Sequence, residues 1–298
     1  MELLRIRSLV LCAAVLSATL GLQGCENMES VGKLGVQIID TAVQGDEEDA
    51  RKWEAVKRTA RAVTGDIDLA EEISMGESMS MAVFVQLGKP HPDAALQRYV
   101  SLVGRTVARY SERPGLPYWF AVIQNDQESV AVSLPGGYII VTTGLLRKLK
   151  GENELACILA HEVAHVAQKH GLETTLRDTR FASLVELGAA FDPEAEEYSE
   201  LVDIAFDTLV HKGYDQGYEI KADLAGTRYA YMAGYHPEGL LPFLQQSVES
   251  GVQFEFFETH PDPAKRITEI RKLLREFGQY GNMPTLSARY QREVLEKL

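Results

Sequence analysis

Leu159-Ala160-His161-Glu162-Val163-Ala164-His165-Val166 holds two histidines four residues apart, with a glutamate beside the first. Leu155, Ile158, Leu159, Val163 and Val166 are spaced as the apolar side of a helix. Residues four apart in a helix share a face, about one turn from each other. Both imidazoles can therefore meet one metal ion, and Glu162 stands where a carboxylate can take a proton from water activated by that ion. H-E-x-x-H in a helix implies metal-assisted hydrolysis of the peptidase type. Gly171 is placed as the C-cap of this helix. His170, five residues beyond His165, is placed on the opposite side, solvated and favouring the helix dipole.

Hydrolysis on zinc needs three protein ligands and an open position. The extension H-E-x-x-H-x-x-G-x-x-H fails here, because Gln168 and Gly171 fall where Gly and His are required. Downstream runs Tyr218-Glu219-Ile220-Lys221-Ala222-Asp223-Leu224-Ala225-Gly226, which reads as a second helix. Glu219 could complete a His-His-Glu site. Asp223, one turn on, could receive the distal N–H of a ligand histidine and fix its tautomer. Ala222, Ala225 and Gly226 are small enough to let the two helices approach closely.

The order of motifs resembles that of the HtpX/BepA/Oma-type zinc metallopeptidases, the group that also contains the CAAX prenyl proteases. The similarity covers roughly residues 65–275. It rests on Leu134-Pro135-Gly136-Gly137-Tyr138-Ile139-Ile140-Val141 before Gly144-Leu145-Leu146, then HEVAH, then Glu219 to Asp223. Ala233-Gly234-Tyr235-His236-Pro237 and Thr259-His260-Pro261 with Arg266 follow. The resemblance implies an α+β fold: a predominantly helical, gluzincin-like zincin domain with a small β-sheet beside the H-E-x-x-H helix. It implies one zinc ion per chain, held by His161, His165 and Glu219, with Glu162 as general base. It also implies that His260 and Arg266 lie close to the metal, as candidates to steady an oxyanion, with His260 able to occupy zinc's fourth position at rest. Two positions depart from the family's usual pattern: Val130-Ala131 where Asn-Ala precedes the Leu-Pro-Gly-Gly turn, and Asp215-Gln216 where Ser-Arg precedes the ligand glutamate.

The amino terminus bears on location. Leu9 to Leu22 is an apolar run too short for a comfortable membrane span and is built like a secretory signal. It ends in Leu22-Gln23-Gly24-Cys25, which resembles a bacterial lipoprotein cleavage box, with Cys25 the acylated residue. Glu26 after Cys25 favours the outer membrane. These features predict a signal peptide over 1–24, a tether with a leading helix over 25–65, and a peptidase domain over 66–298. The expected location is the cell envelope, on the periplasmic side, with the membrane reached only through lipidated Cys25. The 298 residues carry a net charge of −13. Loss of Glu2, Arg5 and Arg7 with the signal makes this −14. Such acidity argues against nucleic acid and against docking on anionic lipid. Cys12 leaves with the signal, Cys25 is lipidated, and Cys157 has no partner left for a disulfide.

Helical spacing covers 67–88 and 93–111, and strands are predicted at 118–123, 129–134 and 138–143, the last two joined through Pro135-Gly136-Gly137. An extended polypeptide can add to an exposed strand edge through backbone bonds, though the pattern does not say which strand is the edge. Residues 172–215, acidic from Asp192 to Glu200, are read as either a helical lid or plain scaffold. His91, His211 and His236 have loop-like surroundings and are read as structural. The stretch 264–298 is helical and charged, with no 34-residue helical repeat. Polypeptides, envelope proteins among them, are the expected substrates. The competing reading is a periplasmic chaperone or assembly factor with a latent or structural metal site. Glu162 argues against it, because a structural site needs no general base and fills four positions with protein ligands.

Overall fold

A computed structural model describes residues 67–174, 214–250 and 263–298. The expectations for the signal, Cys25, His211, Thr259-His260-Pro261 and most of 172–215 fall outside these residues. The first helix, α1 (Leu69–Leu87), opens with a reciprocal capping box between Asp68 and Glu71. Asp93 caps α2 (Ala94–Ala108), accepting from the backbone of Ala95 and Leu96. Both helices match the apolar spacing. The strands follow as β1 (Trp119–Ile123), β2 (Ala131–Leu134) and β3 (Tyr138–Thr142).

The sheet order is β1-β3-β2, with β1 parallel and β2 antiparallel to β3. The turn between β2 and β3 is tight because Gly136 adopts φ 73° and Gly137 φ 101°, conformations open to glycine. The buried Glu72 of α1 accepts from the Gly136 backbone N–H at 3.1 Å and from both terminal nitrogens of Arg113, at 2.8 and 2.9 Å. That pair fastens α1 to the turn.

After β3 come α3 (Thr143–Lys148) and α4 (Glu152–Ala167). Every residue of α4 is buried, as a helix at the centre of a domain must be. It packs against α2, α5 (Gln216–Met232), α6 (Leu240–Ser250) and α8 (Ser287–Glu293), while α7 (Pro263–Leu274) packs on α5 and α6. The main core joins the inner faces of α2, α4, α5, α6 and α7 to the sheet through Leu96, Val141, Leu155, Ile158, Ala222 and Ile270. Glu152, in the first turn of α4, accepts from the hydroxyls of Tyr99 and Tyr235 and pairs with Arg289 of α8. The result is the expected α+β, mostly helical arrangement with a small sheet beside α4. Among the described residues, no helix is long and apolar enough to cross a membrane.

Candidate metal centre

Two helices make the site by touching closely. A Cβ on Gly226 of α5 would stand 2.7 Å from the His161 backbone nitrogen, so α5 lies against α4 with only a hydrogen between them. Asp215 caps α5 through the Gly217 and Tyr218 N–H groups, at 2.9 and 3.1 Å. The cap fixes the first turn, which carries Glu219. The departure at Asp215-Gln216 thus supplies an N-cap, a role in which Asp and Ser are equivalent.

His161, His165 and Glu219 converge, all fully buried. His161 Nε2 and His165 Nε2 are 3.1 Å apart, Glu219 Oε2 is 3.6 Å from the first, and Glu219 Oε1 is 3.3 Å from the second. In a tetrahedron of ~2.0–2.1 Å bonds, ligand atoms lie about 3.3–3.4 Å apart. Each oxygen of the Glu219 carboxylate thus faces one histidine nitrogen at close to that spacing, and two imidazole nitrogens with a carboxylate are a zinc donor set. The residues fit the ion.

Behind the cluster, His161 Nδ1 is 2.9 Å from Asp223 Oδ1. Arg266 of α7 binds Asp223 through Nε at 2.7 Å and Nη2 at 2.8 Å, and its Nη1 is 3.0 Å from Glu219 Oε2. Arg266 is therefore placed at the cluster, with its guanidinium spread over two carboxylates. Burial pushes the Asp223 carboxyl up, but the Arg266 charge outweighs it and holds the group below the usual range. Burial likewise disfavours the His161 cation, yet the hydrogen bond that His161 donates to the Asp223 carboxylate raises its pKa. Burial takes His165 down to about 4. Glu162 is fully buried on the same helix, near enough to act electrostatically on His165, Tyr214 and Arg266.

His170 departs from expectation. The helix stops at Ala167, Gln168 is the C-cap, and Lys169 turns left-handed at φ 58°. The chain is helical again from 170, so a wheel drawn through α4 no longer applies. His170 turns inward, 2 % exposed, with its Nδ1 3.1 Å from His165 Nδ1. Tyr214 stacks on His165 at 4.0 Å and Tyr218 on His170 at 4.3 Å. Sequence reasoning missed His170 because a non-glycine residue at the left-handed turn leaves no signal; Gly171 drew the cap instead. His91 accepts from the Asp93 backbone and His236 packs edge-on against Tyr280, structural roles both.

Ser133, Leu134, Pro135, His165, Val166 and Tyr214 line one cleft. Among the described residues β3 is central, so β2 lies at one side of the sheet; its Ser133 and Leu134 line the cleft with His165, and the Tyr214 hydroxyl donates to the Ser133 carbonyl at 3.4 Å. Thr142 N–H donates to the Val130 carbonyl, so alternation turns the backbone groups of Ala131 and Ser133 away from β3.

The model of peptidase family M48 matches residues 94–274, more than half of the chain and inclusive of every element of this cluster. The chain belongs to peptidase family M48. This M48 chain is 26% identical over 232 residues to a beta-barrel assembly-enhancing protease of Yersinia pestis, covering 72% of this chain and 47% of that protein. It is 27% identical over 215 residues to the protein of the same description in Escherichia coli K12, covering 67% and 44%. It is 29% identical over 182 residues to the mitochondrial metalloendopeptidase OMA1 of Schizosaccharomyces pombe, covering 60% and 53%. The chain thus spans about half the length of these curated relatives, and less than half of the bacterial ones.

Proposed function

We propose that this M48 chain is a zinc-dependent endopeptidase of the bacterial cell envelope, held to the membrane by lipid on Cys25 and acting on unassembled or misfolded envelope proteins. The observation that carries the chemistry is the convergence of His161 Nε2, His165 Nε2 and the Glu219 carboxylate, whose two oxygens lie 3.6 and 3.3 Å from the two nitrogens while the nitrogens are 3.1 Å apart, all buried. When bound, zinc supplies a Lewis acid that polarises the scissile carbonyl and acidifies a water. Glu162 takes the water proton and passes it to the leaving amine. Asp223 orients His161 through Nδ1, and Arg266 holds Glu219 and Asp223 while lending positive field to the oxyanion. His260 is the candidate for direct contact with that oxyanion. The backbone groups of Ala131 and Ser133 that face away from β3 suit an extended chain, which would displace the Tyr214 hydroxyl from the Ser133 carbonyl and bind with tolerance of sequence.

The names of the bacterial relatives support envelope proteins as substrates, and the Leu22-Gln23-Gly24-Cys25 box supports the anchor. Glu162→Gln tests the reading: the variant keeps fold and zinc while losing casein hydrolysis by several orders of magnitude. Equal turnover of purified variant and wild type would refute the mechanism. Retained hydrolysis-independent holding of unfolded protein would favour the chaperone alternative.

A further inference from the structure

The two ligand histidines are supported unequally. His161 Nδ1 faces the Asp223 carboxylate at 2.9 Å, and Asp223 is itself gripped by Arg266. His165 Nδ1 faces a second imidazole, His170 Nδ1, at 3.1 Å. A neutral imidazole donates from one nitrogen and offers a lone pair at the other. His165 turns Nε2 into the ligand cluster, 3.3 Å from Glu219 Oε1, so its proton belongs on Nδ1. An N–H at that buried position needs an acceptor.

We propose that His170 is a positioning residue for the metal: its Nδ1 accepts from His165 Nδ1–H and so fixes the tautomer that presents His165 Nε2 to zinc. The fold prepares His170 for this. The left-handed turn at Lys169 carries the ring inward, and Tyr218 clamps it by stacking at 4.3 Å. The Tyr218 hydroxyl is anchored in turn on Glu173 at 2.7 Å.

The inference rests on the zinc reading given above, and the test separates the two. The zinc dissociation constant of the full chain is measured by chelator competition for wild type, His170→Leu and His170→Gln, with circular dichroism to follow folding. Leucine fills space without accepting; glutamine offers a neutral carbonyl. The expectation is about 10–100-fold weaker zinc binding in His170→Leu, recovered by His170→Gln to within about threefold of wild type. Wild-type affinity in His170→Leu would overturn the proposal. So would equal weakening or unfolding of both variants, which would leave His170 a packing role only. A wild type that binds no zinc would instead overturn the metal reading, and this inference with it.

Discussion

Gly226 has no side chain because His161 is where that side chain would go: the built Cβ meets His161 N at 2.7 Å, the Ala160 carbonyl carbon at 2.9 Å and His161 Cα at 2.9 Å. All three are backbone atoms of α4, which cannot step aside as a flexible side chain can. Helix contact and ligand geometry are therefore one constraint. Gly226→Ala gains helix propensity but overpacks this contact, for a net loss of about 1–3 kcal/mol. Forcing α5 outward also moves Glu219 from the histidines. Urea denaturation and zinc content after dialysis check both effects, and an unchanged or raised stability would show that α5 is less tightly seated than these distances imply.

The cluster of His161, His165 and Glu219 was legible because each lies in a local pattern of fixed period. His161 and His165 are one helical turn apart, Glu219 and Asp223 likewise, and the small face Ala222-Ala225-Gly226 announces a close approach. The three strands and their Pro135-Gly136-Gly137 turn were legible for the same reason. What joins the elements was not. Glu72 meets Arg113, and Glu152 meets Tyr99, Tyr235 and Arg289, across long stretches of chain that no periodicity reports. Nor does any pattern say that β2 is an edge, since that depends on β3 lying between β1 and β2. His170 was hidden by the turn at Lys169.

Glu72 and Arg113 predict a pH-dependent difference. Burial pushes the Glu72 carboxyl up, but its hydrogen bonds from Arg113 and the Gly136 N–H leave it below its ordinary value. A depressed acid contributes stability that is present above its unfolded pKa, about 4.3, and is lost as pH falls through the folded value. Arg113→Met leaves a buried carboxylate without its cation, costing about 2–3 kcal/mol near neutral pH. In that variant burial acts on Glu72 without Arg113, so its pKa rises and protonation in acid relieves the penalty. The stability gap between wild type and variant, from urea denaturation at pH 7 and pH 4, is expected to shrink in acid. A gap that is constant or widens would show that Arg113 acts through packing alone.

Cys157 sits on the metal-bearing helix and is chemically quiet. Burial pushes its thiol up to about 12. At pH 8 only about one thiol in ten thousand is then ionised, and the thiolate is the reactive form. In a chain carrying Cys12→Ser and Cys25→Ser, native Cys157 is expected to resist iodoacetamide at pH 8 and to react promptly once urea unfolds the domain. Rapid labelling of the native protein would mean that α4 is far more accessible than its burial indicates.

Arg266 predicts how the site behaves without its ion. Glu219 and Asp223 are 0 % and 1 % exposed, and two buried carboxylates side by side would repel unless a cation stood between them. Arg266 is that cation among the described residues, 2.7 Å from Asp223 and 3.0 Å from Glu219. The proposed zinc would be a second cation for the same pair. Wild-type protein treated with chelator is therefore expected to remain folded, with a lower Tm, because ligand binding stabilises the native state by mass action. Arg266→Met removes the resident cation, and breaking a buried pair in this way costs about 3–5 kcal/mol. With zinc present, the metal would offset part of that repulsion; with chelator, that offset is gone. The variant's loss of Tm relative to wild type should accordingly be larger in chelator than in excess zinc. Equal losses in the two conditions would show that Arg266 does not share the work of neutralising the ligand carboxylates with the metal, and that its place at the cluster is one of packing.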